Sequence, residues 1–216
     1  MPDLSISMVD AEVLPFAAVP TLLFKASVAN AVEGEQIQSI MLRAQVRLEV
    51  TRRHYDSGTE DRLLELFGEP QRWGDTLRSL LWTHASTNVP GFEGTVVAEL
   101  PITCTYDFEV AAAKYLYALE DGEIPLLFLF SGTVFYTDDR GALQIAQIPW
   151  ELEADFRLPV STWKDMMNRY FPNSAWLRVQ KDVFDRLYLY KARRALPTWE
   201  AALEELLSNA GVDMER

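Results

Sequence analysis

The chain is poor in the residues that carry most chemistry. Its 216 residues include one cysteine, Cys104, and two histidines, His54 and His84. A single cysteine forbids an intrachain disulfide, so a secreted, disulfide-stapled fold is excluded and a reducing cytoplasm is the expected location. No HxxxH, HExxH or CxxC pattern occurs, so a metal centre would need the fold to collect three distant residues. The ten glycines are scattered, with no GxGxxG or GxxxxGK run to cradle phosphates. No apolar stretch approaches the roughly 20 residues of a membrane-spanning helix; the longest, Ile124 to Phe130, is strand-sized. The opening segment, MPDLSISMVDAEVLPF, lacks a basic stretch and carries Asp3, Asp10 and Glu12, unlike a signal peptide. Cations are also scarce. A net charge of −12 argues against nucleic acid as a partner, because phosphate neutralisation needs clustered Lys and Arg.

What is present is core-forming material: 49% hydrophobic and 12% aromatic residues, enough to exclude disorder over most of the length. The acidity is uneven. Residues 159–216 carry 9 Lys/Arg against 8 Asp/Glu, so residues 1–158 carry a net −13.

The first half alternates with period 2. Leu4, Ile6 and Met8 alternate with serines, and Leu22, Phe24, Ala26 and Val28 with Leu23, Lys25, Ser27 and Ala29. Most cleanly, Ile40, Leu42, Ala44, Val46, Leu48 and Val50 fall on one face, while Met41, Arg43, Gln45, Arg47, Glu49 and Thr51 fall on the other. That sorting predicts a strand with one core face and one wet, positively studded face. A helical insert at about 58–82 is expected next: Thr59 caps Glu60 to Phe67, Gly68 stops it, and Asp75 caps Thr76 to Trp82. Strand pattern returns at Gly94 to Ile102. Asp107 to Glu120 reads as a helix with Asp107 and Gly122 as caps.

The run Gly122 to Phe156 predicts a long strand, a polar turn at TDDRG and a returning strand broken at Pro149. Ile124 to Tyr136 is apolar on both faces, which predicts a central strand covered on both sides. Trp150, Leu152, Ala154 and Phe156 continue the alternation against Glu151, Glu153 and Asp155. From Pro159 the pattern turns helical, with Ser161 capping 162–170, a stripe of Val179, Val183, Leu187 and Tyr190, and Thr198 capping a last helix buried through Trp199, Leu203, Leu206 and Leu207. The expected class is α+β: an antiparallel β-sandwich or twisted sheet with a mid-chain helical insert and a C-terminal helical segment. The expected organisation is a β-rich domain at 1–158 with the segment 159–216 packed on it as a single compact unit.

The search for chemistry returns little. Ser161 and Lys164 match SxxK, but the companion SDN and KTG elements are missing. Cys104 stands in the strand-like run PITCTY, where a free cysteine is usually a small buried hydrophobe. Asp138 and Asp139 read as turn residues. No catalytic, metal or cofactor site is expected. The candidate contacts for a ligand or partner are His84 and Asn88, in a polar stretch read as an 84–92 loop, with Tyr106. A basic cluster of Arg178, Lys181, Arg186, Lys191, Arg193 and Arg194 is the candidate interface, its cations expected to lie over the acidic body.

Several segments resemble a bacterial family, domain-of-unknown-function family 6084: LFGEPQRWGDTLRSLLWTH (66–84), VPGFEG (89–94), CTYDFEVAAAKYLYALEDGEIPLLFLFSGTVFY (104–136), FPNSAWLRV (171–179) and YKARRALPTWEAAL (190–203). Members look like neighbours of nickel–iron hydrogenase gene sets, so the resemblance implies an accessory or assembly role and brings no catalytic residues. The expected function is a non-catalytic cytoplasmic accessory or protein-interaction protein, associated with hydrogenase assembly or regulation. A protein partner is expected, and neither nucleic acid nor a membrane. The alternatives are a small-molecule-binding protein or enzyme with a pocket near residues 84–92, and a chaperone-like holder of apolar segments.

Overall fold

The computed structural model describes residues 2–105, 107, 110–138, 140–174 and 177–212. In chain order its elements are β1 (Leu4–Val13), β2 (Thr21–Asn30), β3 (Ile37–Leu48), α1 (Ser57–Phe67), α2 (Trp73–Thr76), β4 (Leu80–Val89), β5 (Thr95–Thr103), α3 (Ala111–Ala118), β6 (Glu123–Thr137), β7 (Leu143–Gln147), β8 (Glu153–Pro159), α4 (Val160–Tyr170), α5 (Lys181–Arg193) and α6 (Trp199–Asn209). The class is α+β, as expected, with two antiparallel sheets. One has the order β1-β2-β5; the other runs β4-β3-β6-β7, with β8 also paired to β6. The chain divides into two compact units, 1–175 and 176–216. The division falls after α4, so that helix lies with the sheets.

The sandwich follows from the alternation. Leu22, Phe24, Ala26 and Val28 of β2 are fully buried, as are Ile40, Leu42, Ala44, Val46 and Leu48 of β3. Each such large side chain contributes about 1.5–3 kcal/mol by leaving water. Phe24 joins the layers: its ring lies 5.3 Å from Phe128, 5.7 Å from Phe156 and 6.2 Å from Trp82, all of the second sheet. β7 and β8 pair with successive halves of β6 and act as one edge strand broken at 148–152. Pro149 sits in that break, where no ladder donor is needed. Trp150 is 86% exposed there, outside the alternation expected of it. The inner residues of β6 are buried, but Leu127, Leu129 and Phe135 on its outer side are only half-buried and Ser131 is exposed. The expected cover on both faces is therefore not found on that side.

Gly132 fixes how β3 meets β6. Its φ is +148°, and a Cβ there would stand 2.1 Å from the Met41 carbonyl oxygen. Only glycine permits that approach.

Several local expectations shift. The first helix begins earlier, because Asp56 caps it: one carboxylate oxygen accepts from the Thr59 N–H at 2.9 Å and the other from the Thr59 hydroxyl. Gly68 ends it as expected, with φ +71° and its N–H donating to the Leu64 carbonyl. The second helix is a single turn ending at Thr76, and Leu80 to Trp82 already belong to β4. α3 is capped by Val110, not Asp107, and α4 begins at Val160, so Ser161 lies inside its first turn. α1 packs on α3 through Phe67 and Tyr115, while the Tyr55 hydroxyl donates to the Val50 carbonyl at 2.6 Å and meets the Tyr115 hydroxyl at 2.9 Å. Arg62 donates to the Ala118 carbonyl, satisfying one of the open acceptors at the end of α3.

Two outcomes follow. Gly132→Ala is expected to cost about 3 kcal/mol or more, read as a lower urea midpoint at unchanged slope; wild-type stability would show that the Met41 carbonyl yields freely. Asp56 is held below the ordinary carboxylate value of 3.8, chiefly by the Thr59 N–H, and Asp138 likewise by the Ala142 N–H. A depressed carboxylate adds stability that is present above its ordinary value and lost as pH falls through its folded value. Thermal melts should therefore fall below about pH 4, and Asp56→Asn, which keeps an acceptor but no charge, should flatten part of that fall. An unchanged acid limb in this variant would remove Asp56 from the account.

Candidate functional site

The outer face of the five-stranded sheet carries His84 and Asn88, two of the polar residues singled out from the sequence, beside the wet face of β3. Antiparallel register places side chains there in rows. Asn88, Met41 and Thr133 form one row; Ser86, Arg43 and Ser131 the next; His84, Gln45 and Leu129 the third; Leu81, Arg47 and Leu127 the fourth. Directly opposed residues have Cβ atoms about 4.5–5.5 Å apart, so each row is a set of touching neighbours. A groove of about 580 Å³, open to solvent, is lined by Arg43, Gln45, His84, Ser86, Leu129 and Ser131, with backbone beneath. A shallower hollow of about 170 Å³ continues it past Met41 to Asn88.

His84 and Asn88 are thus on one exposed strand face, four residues apart. The 84–92 loop expected around them is not a loop: β4 runs to Val89. Phe92 is then tied to Ile37 by reciprocal backbone hydrogen bonds of 2.9 and 3.0 Å. The strand was hidden by a bulge. Between Val46 and Arg47 the β4 partner jumps from Thr83 to Leu81, which shifts the alternation just where a helix is expected. Tyr106 lies outside the described residues, as does Asp139.

Arg43 was legible only as one cation on a wet face. Register adds what it stands between. Among the described residues it has no hydrogen-bond or ion-pair partner. Its neighbour Arg47 is occupied by Glu49 and the Ser79 hydroxyl.

Apolar side chains continue the face toward the far edge. Phe135 of β6 is opposite Ile145 of β7, and Thr137 is opposite Leu143. Ile145 and Leu143 are each 63% exposed and Met41 51%.

Cys104 and His84 do not form a pair. His84 points to the outer face, whereas Cys104 is buried at the end of β5 beside Trp82, Val110, Leu116 and Trp163, around a cavity of about 150 Å³. Burial pushes its thiol up to about 12, against smaller opposing effects of the Leu22 backbone and the Trp163 side chain. Such a thiol stays protonated and is a poor nucleophile. Among the described residues no group of three or more His, Cys, Asp and Glu could hold a metal ion, and no helix is long and apolar enough to cross a membrane.

The basic cluster belongs to the second unit, where most of its members find partners. Lys181 pairs with Asp185 at 2.7 Å, Arg186 with Asp182 at 3.9 Å, and Arg194 with Glu205 of α6. Lys191 lies over the Trp199 ring, 5.7 Å from its centre. Arg193 stands in the last turn of α5, where a cation meets the open carbonyls, and Arg178 precedes the helix. Phe184 and Tyr188 of α5 meet Trp199 of α6. On α6 the buried residue is Ala202, while Trp199, Leu203 and Leu207 are exposed, contrary to the expected buried face.

The chain belongs to the family of unknown function DUF6084, whose model matches residues 1–215. The resemblance seen in its segments is thereby borne out. No curated protein matches it. Among solved structures it is similar to a candidate late embryogenesis abundant (LEA) protein at 13% identity, over 74% of this chain and 72% of that one, with a TM-score of 0.34. It is also similar to a candidate ApaA protein from Bordetella pertussis at 11% identity, over 73% and 93% of the two chains, with a TM-score of 0.24.

The thiol gives a direct check on the buried end of the sandwich. Iodoacetamide should alkylate Cys104 in the native protein at least about a hundredfold more slowly than in urea, at one pH. Comparable rates would place the sulfur at the surface.

Proposed function

We propose that this protein is a non-catalytic interaction protein of the cytoplasm, and that it binds its partner with the outer face of the five-stranded sheet. The observation that carries the reading is the apolar group Met41, Phe135, Leu143 and Ile145 standing exposed or half-buried beside the groove. Contiguous apolar side chains left in water mark surfaces that another molecule covers. Covering Leu143 and Ile145 would contribute about 1–2 kcal/mol each, since both are partly exposed at present. The raised thiol of Cys104 also supports a binding role over a nucleophilic one. The partner proposed is a subunit or assembly factor of a nickel–iron hydrogenase, the setting that the family resemblance brought to the sequence.

The test compares wild type with Leu143→Asp/Ile145→Asp. Both positions are exposed, so the double variant should melt within a few degrees of wild type. Tagged proteins would be recovered from the native host and their companions quantified by mass spectrometry. One stoichiometric partner is expected with wild type, falling at least about tenfold with the variant. Equal recovery with both proteins would overturn the assignment of the surface. A broad set of unrelated chains would overturn the single-partner reading in favour of a holder of apolar segments.

A further inference from the structure

We infer that Arg43 anchors a carboxylate-binding site at the centre of this sheet face, which receives an aspartate, glutamate or C-terminal carboxylate of the partner polypeptide. The inference rests on the proposed use of the face for protein binding and adds the chemistry it recognises.

The argument begins with pairing. In the first unit, Lys25 is held by Glu12 at 2.9 Å, Arg62 by Glu120 at 2.9 Å, Arg157 by Glu123 at 3.6 Å, and Arg52 by Asp155. Arg72, Lys164 and Arg169 have no such partner among the described residues but stand in a turn and a helix, whereas Arg43, equally without one, is exposed in mid-sheet in a chain that carries 32 acidic side chains. None of those carboxylates lines its groove. The nearest in register, Glu153, stands in the next row beyond Leu129.

What does surround Arg43 is a set of side chains with O–H or N–H groups and no carboxylate. Ser86 and Ser131 are its two directly opposed neighbours, and Gln45 and His84 fill the following row. A guanidinium offers a planar fork for two carboxylate oxygens, and flanking hydroxyls can donate to the same group. Charge selects among anions. One arginine balances one negative charge, and a body of net −12 repels a phosphate dianion that a single cation leaves half uncompensated. The sheet fixes the backbone of the arginine and of its two serine neighbours, so ordering on binding is confined to the side chains.

The experiment is an NMR titration of uniformly 15N-labelled full-length protein with four probes: acetate, inorganic phosphate, the singly charged peptide acetyl-Gly-Gly-Glu-Gly-Gly amide and its glutamine counterpart. Acetate and the glutamate peptide should shift the amides of residues 43, 84, 86 and 131 before others. The glutamine peptide should leave them unmoved. Arg43→Gln should abolish the response. Arg43→Lys, which keeps the charge and loses the fork, should weaken it by about tenfold. Shifts spread over the whole surface, or the same shifts in Arg43→Gln, would overturn the site. Saturation by phosphate at lower concentration than by any carboxylate probe would overturn its class. Leu143→Asp/Ile145→Asp separates the two readings. A carboxylate response that persists while the partner is lost supports both, and a partner retained by Arg43→Gln at wild-type level overturns the anchor while leaving the interaction surface standing.

Discussion

The pairing of β3 with β6 is the constraint from which the rest of the fold is hung. β3 is the only strand bonded to both β4 and β6, and β6 carries β7 and β8 on its far side. A slip of one residue in that ladder would turn Ile40, Leu42, Ala44 and Val46 outward and put Arg43 in the core. Two features forbid it. The core face of β3 is almost wholly apolar, and Gly132 sits under the Met41 carbonyl at a separation no side chain allows. Register is therefore set by burial along the strand and by a steric lock at one point. The rows on the outer face inherit their composition from the same ladder.

How much of this can be read in the sequence depends on whether the determining residues are neighbours. Period 2 in β3 is local, so its core face and its wet face are legible residue by residue. Pro149 as an interruption, Gly68 as a helix stop and Thr198 as a cap are local signals too, and each stands where it was read; the Thr198 hydroxyl accepts from the Ala201 N–H at 3.1 Å. β4 is different. Its alternation of Ala85, Thr87 and Val89 against His84, Ser86 and Asn88 is present, but the bulge at Trp82 displaces the pattern where β4 begins. Trp82 is also needed in the core against Phe24, and a helix turn ends only six residues earlier. Tertiary packing overrides a helical reading of that segment.

The candidate site was half legible for the same reason. His84 and Asn88 could be singled out as rare polar groups, and Arg43 as one of several cations on a wet face. That Arg43 falls between Ser86 and Ser131 depends on pairings 43 and 88 positions apart along the chain, which no window reveals. The opposite holds for the second unit. Its cations are expected from the sequence to lie over the acidic body; within the second unit Lys181 and Arg186 meet carboxylates four residues away on their own helix, and Arg194 meets one on the next. Pairs at that spacing form without any larger fold.

These two charge arrangements differ in consequence. Exposed pairs closed within one helical hairpin contribute little each and are screened by salt; on α5 they close two of its four cations, Lys181 and Arg186, onto its own two aspartates. Its exposed aromatic face, with Phe184 and Tyr188 against Trp199, is the part left for packing. On the sheet the order is reversed: Arg47 and Arg157 are closed into pairs with glutamates, and Arg43 is left open among hydroxyl and amide groups. A cation kept open at the middle of a rigid face, in a protein with a large excess of anions, is held there by the strand register. Its own carboxylates are kept from it by geometry, because the acidic residues of β8 fall in other rows. The sheet therefore holds Arg43, among the described residues, apart from the carboxylates of its own chain, and that separation leaves the arginine open to a carboxylate from another polypeptide.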